Sequence, residues 1–291
     1  MEAQFPRTTV AGVSLSRMII GTNWMAGYSH RSPAADAMIR ERHADPDNMA
    51  GMLDTFLSHG VDTMMALFGQ HPPILEAVRR AEDRNGRKLI LIDTPILNVD
   101  DNPAARREAE ATIRKSREMG ASFCLIHHSS VEQLVDKNRR KIHRLDDYTR
   151  MIRDAGLIPG LSAHMPELVV YSDENGYDVE TYIQIYNCMG FLMQVEIESV
   201  NSIIRAAKKP VMTIKPMAAG RCTPFVGLNF SWATLRDCDM VTVGCFNERE
   251  AAEDEVIEIS LAALERRAPD LRARSSPNQS QAAFGAANRR G

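Results

Sequence analysis

Cysteine is scarce in this chain and badly spaced for structural use. The five residues, Cys124, Cys188, Cys222, Cys238 and Cys245, are odd in number and never form a C-x-x-C pair, which speaks against a disulfide framework and against a thiolate zinc site. A reducing cytoplasm fits that usage. Long apolar runs are also missing: nothing approaches the ~18 residues of a membrane span, and the opening MEAQFPRTTV lacks the basic and apolar regions of a secretory signal. Nor does one charge dominate. The formal net charge is −3, with Lys and Arg scattered among Asp and Glu, so the basic footprint of nucleic-acid binding is lacking. What remains is the expectation of a cytoplasmic protein with a small-molecule substrate, away from membranes and nucleic acids.

What is present is a rhythm. Short apolar runs rich in β-branched residues alternate with helical patterns whose caps fall at the expected places. Asp45-Pro46 opens a helix that carries Met49, Met52, Leu53, Phe56 and Leu57 on one face and stops at Gly60. Pro72 and Asn102-Pro103 open two more, ending near Gly86 and Gly120. Further helices are predicted over 146–155, after Pro166, and over 195–208. Strands are predicted at 17–21, 61–66, 88–93, 122–127, 157–163, 181–187, 210–215 and 240–245. Eight such strands alternating with helices predict an α/β fold, a parallel (β/α)8 TIM barrel. The barrel is expected to occupy 1–268 as one domain, with 269–291, which loses periodicity and turns small and polar, as a disordered tail.

Several segments, in chain order over roughly 8–262, resemble the aldo-keto reductase family. TTVAGVSLSRMIIGT resembles its N-terminal β-hairpin, which closes the bottom of the barrel, and GLSAH (160–164), QIYN (184–187) and IKPMAAGR (214–221) resemble its cofactor-contacting segments. The resemblance implies NAD(P) contacts at Ser162, Gln184 and Arg221. It departs from the family at the catalytic tetrad: Met65 stands for the aspartate, Phe68 is the only ring where a tyrosine is expected, and Asp93-Thr94-Pro95 replaces the lysine. Only the histidine is kept, as His127. Methionine cannot pair with a lysine and phenylalanine cannot donate a proton, so hydride transfer by the family's usual route is not expected.

Catalytic groups in such barrels sit at the carboxyl ends of the strands. There the sequence offers His127, His128, His164, Lys215 and Tyr186 as catalytic candidates. His127 and His128 are neighbours, so only one is expected to face the barrel axis unless the strand has ended before them. Asp93, His128, His164 and Glu167 form a candidate set for a divalent metal (Zn, Mn, Fe or Co); the alternative is a polar pocket of hydrogen-bonded imidazoles. Lys215 is read as an enolate stabiliser, a base or an anion anchor, and Tyr186 as a proton donor or a tethered core residue. The long segment after the first strand, with Trp24, Tyr28, His30 and Arg31, is expected to be a structureless lid or binding loop, or else a homo-oligomer contact. GLNFSW (227–232) is expected to wall the pocket.

Together these predict a non-reductase enzyme that abstracts a proton from a small hydroxy-carbonyl or sugar-derived substrate, as an isomerase, epimerase or lyase. A divergent NAD(P)-dependent oxidoreductase and a catalytically silent binding barrel are the alternatives.

Overall fold

The computed structural model describes residues 4–245 and 252–270. An antiparallel hairpin comes first, β1 (Arg7–Val10) against β2 (Val13–Ser16), followed by β3 (Met18–Gly21). Helices α1 (Pro33–Arg42) and α2 (Pro46–Ser58) lead to β4 (Thr63–Ala66), α3 (Pro72–Asn85) to β5 (Ile90–Asp93), and α4 (Pro103–Glu118) to β6 (Phe123–Ile126). A short helix α5 (His128–Val131) and a small ribbon, β7 (Val135–Asp136) with β8 (Lys141–Ile142), precede α6 (Leu145–Asp154). Then β9 (Ile158–Ala163), α7 (Glu167–Asn175), β10 (Tyr182–Ile185), α8 (Ile197–Ala206), β11 (Val211–Ile214), α9 (Pro224–Thr234), β12 (Met240–Gly244) and α10 (Ala252–Glu265) complete the chain.

Eight strands, β3, β4, β5, β6, β9, β10, β11 and β12, close in sequence order into an all-parallel barrel. This is the expected TIM barrel. The caps explain why the helices start where they do: Asp45 accepts from Asp47 N, Asn102 from Ala104 N and Ala105 N, and Thr223 from Val226 N, each followed by proline at the first helical position. Gly86 and Gly176 end α3 and α7 in the left-handed conformation that glycine adopts at least cost.

The strand pleat sorts side chains into two cores. Ile19, Met65, Ile92, Phe123, Leu125, Ile183, Met212 and Met240 fill the barrel, and Val10 and Leu15 of the hairpin join them. The hairpin therefore plugs one end, as anticipated. The alternate strand residues, such as Ile20, Met64, Cys124, Leu161 and Val211, pack outward with the helices. The period of two decides every later question about which polar residue reaches the cavity.

Two expectations are corrected. The segment after β3 is not structureless: Ser32 accepts from Ala35 N and opens α1. Its apolar face is thin, with Ile39 its one buried residue, so periodicity gave little sign of it. Residues 227–232 lie within α9 and do not line the cavity; Gly227 instead backs it, since a Cβ there would meet Pro216 O at 2.4 Å. Most of the expected tail, 271–291, lies outside the described residues. Among the described residues no helix is long and apolar enough to cross a membrane.

Candidate active site

A cavity of about 520 Å³ opens at the carboxyl ends of the strands, where this fold places its chemistry. His127, His128, Ser162, His164 and Lys215 all line it, together with Trp24, Tyr28 and His30 from the segment after β3.

The strand pleat explains the contribution of β9. Leu161 and Ala163 pack outward, so Ser162 and His164 take the inward face. β6 ends at Ile126, and His127 caps α5 rather than continuing the strand. Both neighbouring histidines therefore enter the cavity, with ring centroids 4.2 Å apart. His128 stacks on His164 at 3.6 Å with 15° between the planes.

Nδ1 of His127 accepts from Ser129 N at 3.3 Å and meets Ser129 Oγ at 2.7 Å. The proton of neutral His127 therefore sits on Nε2. Burial, reinforced by His128, lowers the pKa of His127 from 6.5 to about 4. Burial, then His128 and Lys215, lowers that of His164 to about 3. His128 is also lowered, mainly by burial, with Glu132 opposing. His30, which also lines the cavity, is lowered by burial and then by Lys215, so at neutral pH the cavity holds four uncharged imidazoles, each able to take or give a proton.

Lys215 follows β11 with φ +62°, a conformation rare for a residue with a Cβ and found where the surroundings enforce it. Its Nζ lies 3.0 Å from His30 Nε2. No carboxylate among the described residues comes within ion-pair distance of it. Burial lowers its pKa from 10.5 to about 8.

Two positioning groups were not anticipated. Glu132 Oε1 accepts from His164 N at 2.6 Å and Met165 N at 2.9 Å, while Oε2 lies 4.0 Å from His128 Nδ1. One carboxylate thus fastens the end of β9 to the turn that carries His128. Its place four residues after His128, one helical turn away, was the available signal. His30 stood in a segment expected to be a lid, a binding loop or an oligomer contact, with no role of its own. It too has a left-handed backbone, φ +55°, and its ring meets Phe191 edge-on at 6.4 Å.

Other predicted residues lie elsewhere. Asp93 follows inward-facing Ile92 and so points outward, accepting from Ser116 Oγ at 2.5 Å and Phe68 N at 3.1 Å; burial raises its pKa. Glu167 pairs with Lys137 Nζ at 2.8 Å and does not line the cavity. The set Asp93, His128, His164 and Glu167 is therefore not assembled, and no group of three or more His, Cys, Asp or Glu among the described residues is placed to hold a metal ion. Stacked rings do not converge their nitrogens on one point.

Tyr186 is tethered behind the cavity, donating to Thr234 Oγ1 at 3.0 Å and accepting from Asn201 Nδ2 at 2.9 Å; it is not placed as a proton donor. Gln184 follows inward-facing Ile183, so its amide is buried outside the cavity, with Nε2 3.3 Å from Ile185 O. Arg221 lies 3.8 Å over the Phe191 ring and donates to Ala218 O at 3.2 Å and His30 O at 3.4 Å. Of Ser162, Gln184 and Arg221 only Ser162 lines the cavity, joined there by residues 214–217, 219 and 220 of the segment that resembles a cofactor loop. Cys245 lines the cavity, but burial raises its thiol pKa far above the ordinary value, which leaves it a poor nucleophile.

No family model and no curated protein matches the chain. Its likeness is to solved structures. A protein of Pseudomonas aeruginosa provisionally described as an aldo-keto reductase is 12% identical, with a TM-score of 0.62 over 90% of this chain and 97% of that one. A second structure of that description and organism is 13% identical, with a TM-score of 0.58 over 87% and 93%. An N-acetylneuraminic acid synthetase from Leptospira borgpetersenii, 11% identical, aligns over 100% of both chains with a TM-score of 0.50. At such identities the likeness shows the fold alone: an eight-stranded parallel barrel shared with aldo-keto reductases.

Proposed function

We propose that the chain is an enzyme that moves a proton on a small hydroxy-carbonyl or sugar-derived compound, as an isomerase, epimerase or lyase. The observation that carries this reading is the joint presence, in one cavity, of four imidazoles held neutral and a lysine whose basicity is lowered. A base near neutrality must be uncharged to accept a carbon-bound proton, and the developing enolate oxygen needs a donor beside it.

In this reading His127 donates from Nε2 to the substrate carbonyl. The stacked pair His128 and His164 takes the α-proton and returns it, and Lys215 stabilises negative charge on oxygen. The mostly apolar wall, including Met65, Ile183 and Ile214, strengthens each of these interactions by excluding water. No step is assigned to a metal or to NAD(P).

The test is to incubate the protein with a panel of small hydroxy-aldehydes, hydroxy-ketones and hydroxy-acids and to identify products by NMR. Isomerised, epimerised or dehydrated product supports the reading. Turnover confined to NAD(P)H oxidation contradicts it.

A further inference from the structure

The chain has seven lysines, and Lys215 is the one that lines the cavity. Others are engaged elsewhere: Lys88 with Glu82, Lys137 with Glu167, Lys209 with Glu180, and Lys208 through Nζ with Asp173 O. Lys215 alone meets an imidazole, Nε2 of His30, at 3.0 Å.

A half-buried lysine with no carboxylate partner among the described residues costs stability unless function retains it. The same is true of the two backbone conformations, at His30 and Lys215, that bring these side chains together. Arg221 and Phe191 hold His30 from behind, through its carbonyl and its ring. The arrangement is that of an amine with a proton acceptor already in contact.

We propose that Lys215 Nζ is a nucleophile that condenses with the carbonyl carbon of a small aldehyde or ketone, with His30 Nε2 relaying the proton. This rests on the reading of the cavity as a carbonyl-substrate site. The amine lone pair forms the C–N bond while the C=O π pair moves to oxygen, which takes a proton. His30 accepts a proton from nitrogen, giving a neutral carbinolamine, and then delivers it to the hydroxyl. The C–O bond breaks, water leaves, and the nitrogen lone pair closes the C=N bond. The net change is amine, carbonyl and one proton from solvent going to iminium and water. The iminium is a stronger electron sink than the carbonyl, so removal of the α-proton by a neutral imidazole then places the C–H pair in an enamine.

Part of the amine is already unprotonated at neutral pH, since burial lowers its pKa to about 8.

The test is reductive trapping of the full chain with cyanoborohydride in the presence of dihydroxyacetone, glyceraldehyde or pyruvate, each at low concentration, read by intact mass and peptide mapping. The expected result is one adduct per chain at Lys215, with a mass gain equal to the carbonyl compound less one oxygen atom. Lys215→Arg and Lys215→Met, checked for folding by circular dichroism, lose it, and His30→Ala forms it about 10²-fold more slowly. Absence of an adduct with all three probes overturns the proposal, as does an adduct that persists in both Lys215 variants. Solvent-deuterium exchange into the same compounds is measured in parallel. Exchange without an adduct overturns the Schiff base and leaves proton transfer standing; an adduct without exchange does the reverse.

Discussion

The imidazoles of His128 and His164 lie face to face, 3.6 Å between centroids and 15° between planes, although they come from different strand ends 36 residues apart in a chain that brings β6 beside β9. Burial, then His128 and Lys215, lower the proton affinity of His164, and burial, with Lys215 adding to it and Glu132 opposing, lowers that of His128.

Replacing either member by asparagine keeps a polar group of similar size and removes the base. Each of His128→Asn and His164→Asn is expected to lower kcat by about 10²–10⁴-fold. The double variant is expected to lose little more than the worse single one, because both serve one proton. Steady-state kinetics on the substrate found in the panel checks this; additive losses would show two independent roles.

Acid stability follows from the same groups. The unfolded imidazole titrates near 6.5, whereas in the fold His127 does so at about 4 and His164 at about 3. Between those values the unfolded chain binds more protons, so stability rises with pH across the window. It is fully present above 6.5 and is lost as pH falls towards 4 and 3. Thermal unfolding from pH 7 to pH 4 is expected to show a steeper fall for the native chain than for His164→Asn.

Lys215 gives the alkaline limb. Its pKa is 10.5 when unfolded and about 8 when folded, so the unfolded chain again holds more protons between the two, and stability rises with pH from about 8 to 10.5. Below about 8 the cost of the partly desolvated charge is present in full. Lys215→Met is therefore expected to be more stable at pH 7, on the order of 1 kcal/mol after allowing for solvent screening, or roughly 2–4 °C in Tm. The gain should vanish above about pH 10.5. A variant less stable than the native chain at pH 7 would show that Lys215 is a structural partner.

Gly160 tests the packing that orients β9. A Cβ there would meet Leu125 Cγ at 2.7 Å and Thr181 O at 2.9 Å. The second contact is backbone and cannot swing away, so Gly160→Ala is expected to cost about 1–3 kcal/mol. Urea unfolding would reveal it as a lower midpoint at unchanged slope.

The barrel was legible because parallel strands buried on both faces read as short apolar runs, and because caps such as Asp45-Pro46 and Asn102-Pro103 mark helix starts without tertiary help. The site was legible in part. His127, His128, Ser162, His164 and Lys215 reach the cavity because they stand at or beyond strand ends on the inward side. Asp93, Gln184 and Tyr186 stand at similar positions along the chain but on the outward side of the pleat, and a strand of four residues does not declare its own face. Ile92 and Ile183, one residue before Asp93 and Gln184, carried that information once assigned to the barrel interior. His30 could not be placed from sequence, because its contact with Lys215 spans 185 residues and depends on the path of the segment that contains α1.

Solvent exchange is the most direct measure of the central claim, that this cavity moves a proton on carbon. Small hydroxy-aldehydes and hydroxy-ketones are incubated in D2O with the native chain or with His128→Asn/His164→Asn, and the α-proton signal is followed by NMR. The account predicts loss of that signal with the native chain, at a rate at least about 10²-fold above the variant. An α-proton signal that decays no faster than in buffer for every compound, or equally fast with the variant, would contradict it.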